Sequence, residues 1–172
     1  MAIVQAPWLW SDENRDMSLP GDLYTTIERS MPIVAVDFVP VNEGLVGLIL
    51  RDSPFGRVWC HLGGRVFRGE TLANALSRHA LDTLGVDLVL PPDPQPGYVY
   101  QWFPPELAPS DGLAYGSDPR KHAIGLSYVV ALTGTPVAQN EALDFAWFRR
   151  DALPEPLWPG AAQMLHRLLS GL

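Results

Sequence analysis

The feature that most constrains the fold is a glycine-rich turn followed by one helix with clear ends. Gly63-Gly64 interrupts an extended segment, and Thr71 is a suitable N-cap for the helix that follows. Gly85 can adopt the left-handed conformation that ends a helix. Between these two residues, apolar side chains recur at helical spacing at Leu72, Leu76 and Ala80. The sequence therefore predicts a loop–helix–loop unit over residues 63–86.

Length and composition indicate a globular chain. A chain of 172 residues can bury roughly 70% of its extended surface, enough for one substantial core. Hydrophobic residues make up 47% of the sequence and lie in short strand-length runs, which argues against a largely disordered chain. We expect a single domain over residues 1–172, in which residues 1–31 form an N-terminal extension and helix.

Charge and cysteine content exclude several classes of protein. The formal net charge of −7 disfavours a nucleic-acid backbone or an anionic membrane as the principal partner. Cys60 is the only cysteine, so an intramolecular disulfide is excluded, and its strand pattern indicates a small buried residue rather than a nucleophile. No apolar run is long enough for a transmembrane helix, and no secretory signal is visible at the N-terminus. We therefore expect a cytoplasmic protein.

The remaining segments mix strand and helix patterns without the repeated strand–helix units of a doubly wound sheet. A hairpin is predicted from residues 33–41 and 45–50, because Asn42-Glu43-Gly44 has the composition of a turn. Further strands are predicted at 57–62, 86–90, 97–103, 122–132 and 143–148, and further helices at 19–30 and 159–169. The expected fold class is mixed α/β.

The loop–helix–loop unit resembles the Nudix box, which is a glycine, five residues, a glutamate, seven residues, and then arginine-glutamate-aliphatic-x-glutamate-glutamate-x-glycine-aliphatic. The residues that fall on this frame without a gap are Gly64, Glu70, Arg78, Ala80, Gly85 and Val86. The resemblance implies the Nudix fold, with a mixed central β-sheet sandwiched between helices. It also implies that Glu70 and Arg78 tie the loop to the helix, so we interpret them, with Gly64 and Gly85, as structural residues of the box.

The metal-binding face of this box is incomplete. Carboxylates at positions i, i+3 and i+4 of a helix share one face and form an oxygen-rich site for magnesium. Here those positions are His79, Asp82 and Thr83, so one carboxylate remains. Three interpretations stay open. The face is a solvated surface without ligands, or it is a weakened site that uses Asp82, the Gly63 carbonyl and a distant carboxylate, or His79 retunes it toward manganese or zinc.

Two narrower resemblances bear on function. Residues 23–39 together with the box are similar to the GDP-mannose mannosyl hydrolases, a Nudix branch with an altered box that cleaves at the sugar carbon. The metal ligands and base of that branch would correspond to Gly63, Thr83, Glu141 and Ala142, of which Thr83 and Ala142 have lost the required chemistry. Its substrate-handling aspartate and arginines match Asp37, Arg65 and, after a gap, Arg51.

The second resemblance extends over residues 19–147, including Arg78-His79 and Asp118-Pro119-Arg120-Lys121-His122-Ala123. It is to a bacterial Nudix-like family of unknown function. This resemblance implies no activity, but it indicates that the altered box is a feature of a lineage.

Several residues outside the box are candidates for the site. Glu141 lies in a loop where Nudix enzymes commonly supply a further carboxylate, so it is a candidate metal ligand, with a solvated loop charge as the alternative. His122 is either the missing base, a phosphate contact or a turn residue. The candidates for phosphate contacts are Arg65, Arg120 and Lys121, because an acidic protein must concentrate positive charge where it binds an anion.

Other polar and aromatic residues are expected to be structural. Asp144 is expected to cap or pair locally, and His61 and His166 are expected to have no role in chemistry. The aromatic residues Tyr100, Trp102 and Phe103 are expected to lie in the core rather than to stack on a base or sugar.

Together these residues favour a Nudix-type hydrolase of a nucleotide-linked substrate such as a nucleoside diphosphate sugar, with magnesium or manganese bound by Gly63, Asp82 and Glu141. The candidate catalytic residues are Asp82, Glu141, His79 and His122. The alternative is a noncatalytic module that binds a nucleotide or metabolite. A homodimer is a further expectation, with Trp8, Trp10 and the first helix at the partner surface.

Overall fold

The computed structural model describes residues 19–170. Within this range the helices are α1 (Gly21–Ser30), α2 (Leu72–Leu84) and α3 (Ala161–Leu169), with a short 3-10 helix at Pro105–Leu107. The strands are β1 (Ile33–Asn42), β2 (Leu45–Ser53), β3 (Gly56–Cys60), β4 (Leu62–Arg65), β5 (Asp87–Val89), β6 (Tyr98–Phe103), β7 (Gly116–Ser117), β8 (Ala123–Thr133) and β9 (Asp144–Arg149). None of the helices in this range is long and apolar enough to cross a membrane.

The strands form one mixed, curled sheet. Its order is β3-β2-β1-β8-β6-β7, while β4 pairs with β1, β5 with β8 and β9 with β2. The β1–β8 pair is parallel and the β1–β4 and β6–β8 pairs are antiparallel. Helix α2 packs on β1, β4 and β5, and α3 packs on β6 and β8. The prediction of a mixed α/β fold with a central sheet between helices is confirmed.

The predicted hairpin is confirmed, but its strands stay together only beside the turn. Glu43 and Gly44 have φ values of 49° and 81°, the two positive values of a tight hairpin turn. In the β1–β2 register, Val41 lies opposite Val46 and Asn42 lies opposite Leu45. Beyond these pairs β1 continues against β4 and β8, and β2 continues against β3 and β9. The strands separate there. Strand β1 carries Asp37 and strand β2 carries Arg51, and both residues line the cavity described below.

The prediction of one strand over residues 57–62 is wrong. The chain forms β3 and β4 with a break at His61, because β3 pairs with β2 whereas β4 pairs with β1. Val58, Cys60 and Leu62 are all buried, so the alternating pattern runs through the break. The pattern could not reveal the break, since burial alternates in the same way on both sides of it.

The predicted box helix is confirmed with its ends. The Thr71 hydroxyl accepts a hydrogen bond from the Asn74 amide at 3.2 Å, and Gly85 is left-handed at φ 65° with its N–H bonded to the Leu81 carbonyl. The buried residues of α2 are Ala75, Leu76, Ala80, Thr83 and Leu84. Thr83 is only 2% exposed, yet it also lines the cavity described below.

Helix α1 differs from the other two because it has no buried residue. Leu23 is 46% exposed and Met31 is 58% exposed, although their spacing is that of one helix face. Trp8 and Trp10, the other residues of the predicted partner surface, lie outside the described residues. The homodimer therefore stays a prediction.

Candidate functional site

A cavity of about 460 Å³ lies where the β3–β4 junction, α2 and the loop before β9 meet. The predicted site residues that line it are Asp37, Arg51, Gly63, Gly64, Arg78, His79, Asp82, Arg120, Lys121 and Glu141. His61, Asp118, Trp102 and Trp158 also line it. Residues from distant parts of the chain thus meet at one cavity that combines carboxylates, cations and aromatic rings.

The loop of the box is fixed to α2 by a bidentate ion pair. Arg78 donates from Nε to one carboxylate oxygen of Glu70 at 2.7 Å and from a terminal nitrogen to the other at 2.8 Å. Glu70 also accepts from the Phe67 amide at 2.9 Å, and Arg78 donates to the Arg65 carbonyl at 3.0 Å. Burial opposes ionisation of Glu70, but these hydrogen bonds outweigh it, so the pKa of Glu70 is below its usual value. This geometry is the one expected of structural box residues.

His79 packs its ring against the glycine loop. A Cβ placed on Gly64 would lie 2.5 Å from Cε1 of His79, so a larger residue at this position would displace the imidazole. His79 Nε2 is 3.2 Å from the Arg65 carbonyl, a contact in which the nitrogen must donate. Burial, with the nearby Arg78 charge, lowers the pKa of His79 below its usual value. A neutral, hydrogen-bonded imidazole therefore occupies the first ligand position of the box.

The loop that carries Glu141 is attached to the end of α2. The Gln139 side chain donates to the Leu81 carbonyl at 2.6 Å, and the Asn140 side chain donates to the Asp82 carbonyl at 2.5 Å. These bonds bring the Glu141 loop to the turn of the helix that carries Asp82. Both carboxylates line the same cavity, and the side chain of Glu141 forms an ion pair with Arg51 Nη1 at 2.8 Å.

These residues suit a cation that is shared with a ligand. Two carboxylates and the carbonyl of Gly63 are oxygen donors, the kind that magnesium prefers, and magnesium is often held by one or two carboxylates plus substrate phosphates. Within residues 19–170, no group of three or more histidine, cysteine, aspartate or glutamate side chains could hold a metal ion by itself. A magnesium ion held by these oxygen donors would have to complete its coordination with water and phosphate oxygens.

Asp37 and His61 form a buried contact at the back of the cavity. Asp37 is only 5% exposed, and its two carboxylate oxygens lie 3.2 Å from Trp102 Nε1 and 3.4 Å from His61 Nε2. The His61 ring stacks on Trp102 with centroids 5.1 Å apart, and its Nδ1 has no hydrogen-bond partner among the described residues. The sequence predicts a substrate contact for Asp37 and a structural role for His61. Both residues line the cavity and contact each other there, and both roles stay predictions.

The basic residues near the cavity are already paired. Arg120 donates to both carboxylate oxygens of Asp118 at 2.8 Å, and Lys121 Nζ lies 3.5 Å from a carboxylate oxygen of Glu28. Hydrogen bonds from Arg120 outweigh the burial of Asp118, so the pKa of that carboxyl is below its usual value. An anionic ligand must therefore compete with resident carboxylates for these cations.

Two predicted residues lie apart from the cavity. The guanidinium of Arg65 sits 4.2 Å from the centre of the Tyr24 ring, and Arg65 reaches the box through its carbonyl oxygen. His122 stacks on Phe103 at 4.2 Å and lines a neighbouring groove together with Arg120 and Lys121. Burial lowers the pKa of His122. The structure thus places His122 outside the lining of the cavity that contains Asp82 and Glu141.

The sequence does not assign Trp158, Asp118 or His61 to the site, although all three line the cavity. Trp158 is 6% exposed and lies beneath the guanidinium groups of Arg51 and Arg120, at 5.9 Å and 5.3 Å from its ring centre. Asp118 precedes Arg120 by two residues, a spacing that could have indicated the pair. Nothing in the sequence brings Trp158 or His61 to the cavity, because their positions depend on long-range pairing.

Cys60 is the buried residue that its strand pattern predicted. It is 3% exposed, and burial raises the pKa of its thiol to about 12. A thiol with so little thiolate at neutral pH is a poor nucleophile. Tyr100 and Trp102 are likewise buried, at 2% and 5% exposure.

The curled mixed sheet with the box loop and α2 beside the cavity is the Nudix fold. Comparison with solved structures supports this class. A possible asymmetric diadenosine tetraphosphate hydrolase from Jonesia denitrificans aligns with TM-score 0.70 and 31% identity over 82% of this chain and 94% of that chain. A MutT Nudix hydrolase from Burkholderia pseudomallei aligns with TM-score 0.64 and 22% identity over 80% and 98% of the two chains.

The chain belongs to the family described as a domain of unknown function, DUF4916, whose model matches residues 18–165. It is also 41% identical over 73 residues to the low-salt glycan biosynthesis protein Agl8 of Haloferax volcanii. That match covers 42% of this chain and 47% of the Agl8 protein, so the chain spans about half the length of this curated relative.

Proposed function

We propose that this chain is a hydrolase of a nucleotide-linked diphosphate, with nucleoside diphosphate sugars as the substrate class. The observation that carries the proposal is that Asp82, Glu141 and Gly63 line one cavity with the cations of Arg51 and Arg120. Carboxylates that hold a metal and arginines that hold phosphate are the two requirements of such a site.

The names of related proteins agree with this chemistry. The Jonesia denitrificans protein is named for a dinucleoside polyphosphate, and Agl8 is named for glycan biosynthesis. A nucleoside diphosphate sugar agrees with both names, because it joins a nucleotide to a sugar through a diphosphate. The charge of the cavity also suits this class, because its paired arginines can exchange carboxylate oxygens for phosphate oxygens.

Magnesium or manganese is the proposed cofactor, held by Asp82, Glu141 and the Gly63 carbonyl. When bound, the ion would offset negative charge on the diphosphate as the bond to the leaving group breaks. Arg51 and Arg120 would hold and orient the phosphates, and Trp158 would support both guanidinium groups from below. His79 would keep the glycine loop in place through its hydrogen bond to Arg65.

A noncatalytic binding module is the second candidate, and one specific observation favours it. Glu141 is held by Arg51, and the part of the chain that the structure describes contains no cluster of three metal-binding side chains. The same cavity, with paired cations and two carboxylates, could hold a nucleotide without cleaving it.

The test is an assay of the purified protein with magnesium or manganese against nucleoside diphosphate sugars, ADP-ribose and dinucleoside polyphosphates. Asp82→Asn and Glu141→Gln should each lower kcat/KM by about 100-fold or more, which corresponds to about 2.7 kcal/mol of transition-state stabilisation. The matched control is Asp144→Asn. Asp144 lies three residues after Glu141, and its carboxylate accepts from the neighbouring Phe145 amide at 2.8 Å.

Equal turnover by the wild type and both variants would refute the assigned ligands. Calorimetric binding of a nucleotide sugar without product under either metal would favour the binding module and refute the hydrolase.

A further inference from the structure

Glu141, the carboxylate proposed as a metal ligand, already forms an ion pair with Arg51. Arg51 Nη1 lies 2.8 Å from Glu141 Oε2, and the two side chains are 22% and 36% exposed. Arg51 comes from β2 and Glu141 from the loop before β9, so sheet pairing fixes the backbones that carry them. A divalent ion that binds Glu141 must therefore displace the guanidinium or share the carboxylate with it.

Arg51 is also incompletely bonded in this position. Its Nε is buried and has no hydrogen-bond partner among residues 19–170. The guanidinium lies 5.9 Å from the centre of the Trp158 ring, on the same ring that Arg120 approaches at 5.3 Å. A phosphate at this place could use donors of both guanidinium groups, including the nitrogen that has no partner now.

The charges at the cavity consequently compensate one another. Arg51 pairs with Glu141, and Arg120 pairs with Asp118. A phosphate that binds alone would draw Arg51 away and leave Glu141 facing an anion. A metal ion that binds alone would take Glu141 and leave Arg51 facing a cation. Binding of the phosphate alone or of the metal alone thus leaves one charge without a favourable partner. Binding of both gives Glu141 the metal and gives Arg51 the phosphate.

We propose that Arg51 is a positioning residue that couples the divalent ion to the diphosphate by exchanging one partner for another. Arg51 holds Glu141 in the free protein and transfers to a phosphate when the metal takes the carboxylate. This inference rests on the proposed function, since it assumes that Glu141 is a metal ligand.

The coupling predicts the direction in which the affinity for manganese changes when Arg51 is replaced. Removing the charge of Arg51 frees Glu141, so the affinity for manganese in the absence of any nucleotide should rise. Couplings of this kind are typically 5- to 150-fold, and the partial exposure of this pair places it at the lower end, about fivefold. By reciprocity, a nonhydrolysable nucleoside diphosphate should tighten manganese binding more in the wild type than in the Arg51 variant.

The experiment is a manganese titration of the purified full chain, followed by the electron paramagnetic resonance signal of free manganese. Arg51→Met keeps an unbranched side chain of similar reach and removes the charge. Glu141→Gln removes the proposed ligand. Lys121→Met is the matched control, because it removes one positive charge from the same cavity while its carboxylate partner is Glu28.

We expect Arg51→Met to bind manganese about fivefold more tightly than wild type, Lys121→Met to change affinity by less than about twofold, and Glu141→Gln to bind weakly. If Arg51→Met does not fold, as judged by its thermal transition, Arg51→Gln is the second variant with the same expectation. Unchanged or weaker manganese binding in the Arg51 variant, with Glu141→Gln impaired, overturns the coupling but leaves the metal ligand in place. Wild-type affinity in Glu141→Gln overturns the ligand assignment itself.

Discussion

Replacing Glu70 with glutamine should destabilise the protein through the loop–helix connection. The carboxylate of Glu70 accepts two hydrogen bonds from Arg78 and one from the Phe67 amide. Its side chain is 11% exposed and that of Arg78 is 25% exposed. The amide of Glu70→Gln retains one acceptor oxygen but removes the charge, so Arg78 loses its ionic partner in a place where water compensates poorly.

The size of the loss follows from this burial. Breaking a fully buried ion pair costs about 3–5 kcal/mol, and hydrogen bonds to charged groups contribute about 1.5–3 kcal/mol. Because Arg78 is partly exposed, we expect about 2 kcal/mol for Glu70→Gln. In a chain of this size a change of 1 kcal/mol moves the Tm by about 2–4 °C, so the expected decrease is about 4–8 °C.

The control uses a pair of the same geometry on the surface. Arg149 donates to both carboxylate oxygens of Asp151 at 2.8 and 2.6 Å, but the side chains are 72% and 68% exposed. Exposed pairs of this kind contribute little. Asp151→Asn should therefore shift the thermal transition far less than Glu70→Gln.

The pH dependence gives a second measurement. The folded protein lowers the pKa of Glu70, so the contribution of this carboxylate is complete above the usual glutamate value of about 4.3 and is lost as the pH falls through the lower folded value. The difference in stability between wild type and Glu70→Gln should therefore shrink in acid. A stabilising role of the Glu70–Arg78 pair is refuted if Glu70→Gln and Asp151→Asn melt alike at neutral pH, or if the difference persists undiminished in acid.

Two further outcomes are expected from residues at the cavity wall. Gly63→Ala should severely destabilise the fold, because the φ of Gly63 is 132° and an added Cβ would overlap the backbone carbonyl of Val36. Gly69 has a φ of 80° and open space around it, so Gly69→Ala should lower the melting temperature less. Equal losses would contradict the clash. Cys60 should react with a thiol reagent far more slowly in the native protein than in denaturant, because it is 3% exposed and its pKa is raised to about 12; rapid native reaction would contradict this burial.

The local parts of the fold are predictable from the sequence. Helix α2 is predictable with its ends because Thr71 and Gly85 act through their own neighbours. The turn at Glu43-Gly44 is predictable for the same reason. The break at His61 is not, since it arises when the chain changes its partner from β2 to β1. Such a change depends on strands far away in the sequence, which local patterns do not record.

The candidate site shows the same division. The substitutions at His79 and Thr83 are visible in the box frame, and the approach of Glu141 to α2 is expected from the resemblance. The sequence does not predict which charged side chains contact one another. Arg51 and Glu141 are distant in the sequence and meet through the β2–β9 pairing, and Asp37 meets His61 across the β1–β4 connection.

The carbonyl oxygen of Arg65 receives both the guanidinium of Arg78 and the imidazole of His79. A glutamate introduced at position 79 would replace one of these donors with an acceptor and set two oxygens against each other. Because Thr83 also lacks a carboxylate, restoring the acidic triad would require changes at both positions, and a single codon change in the helix would not rebuild it.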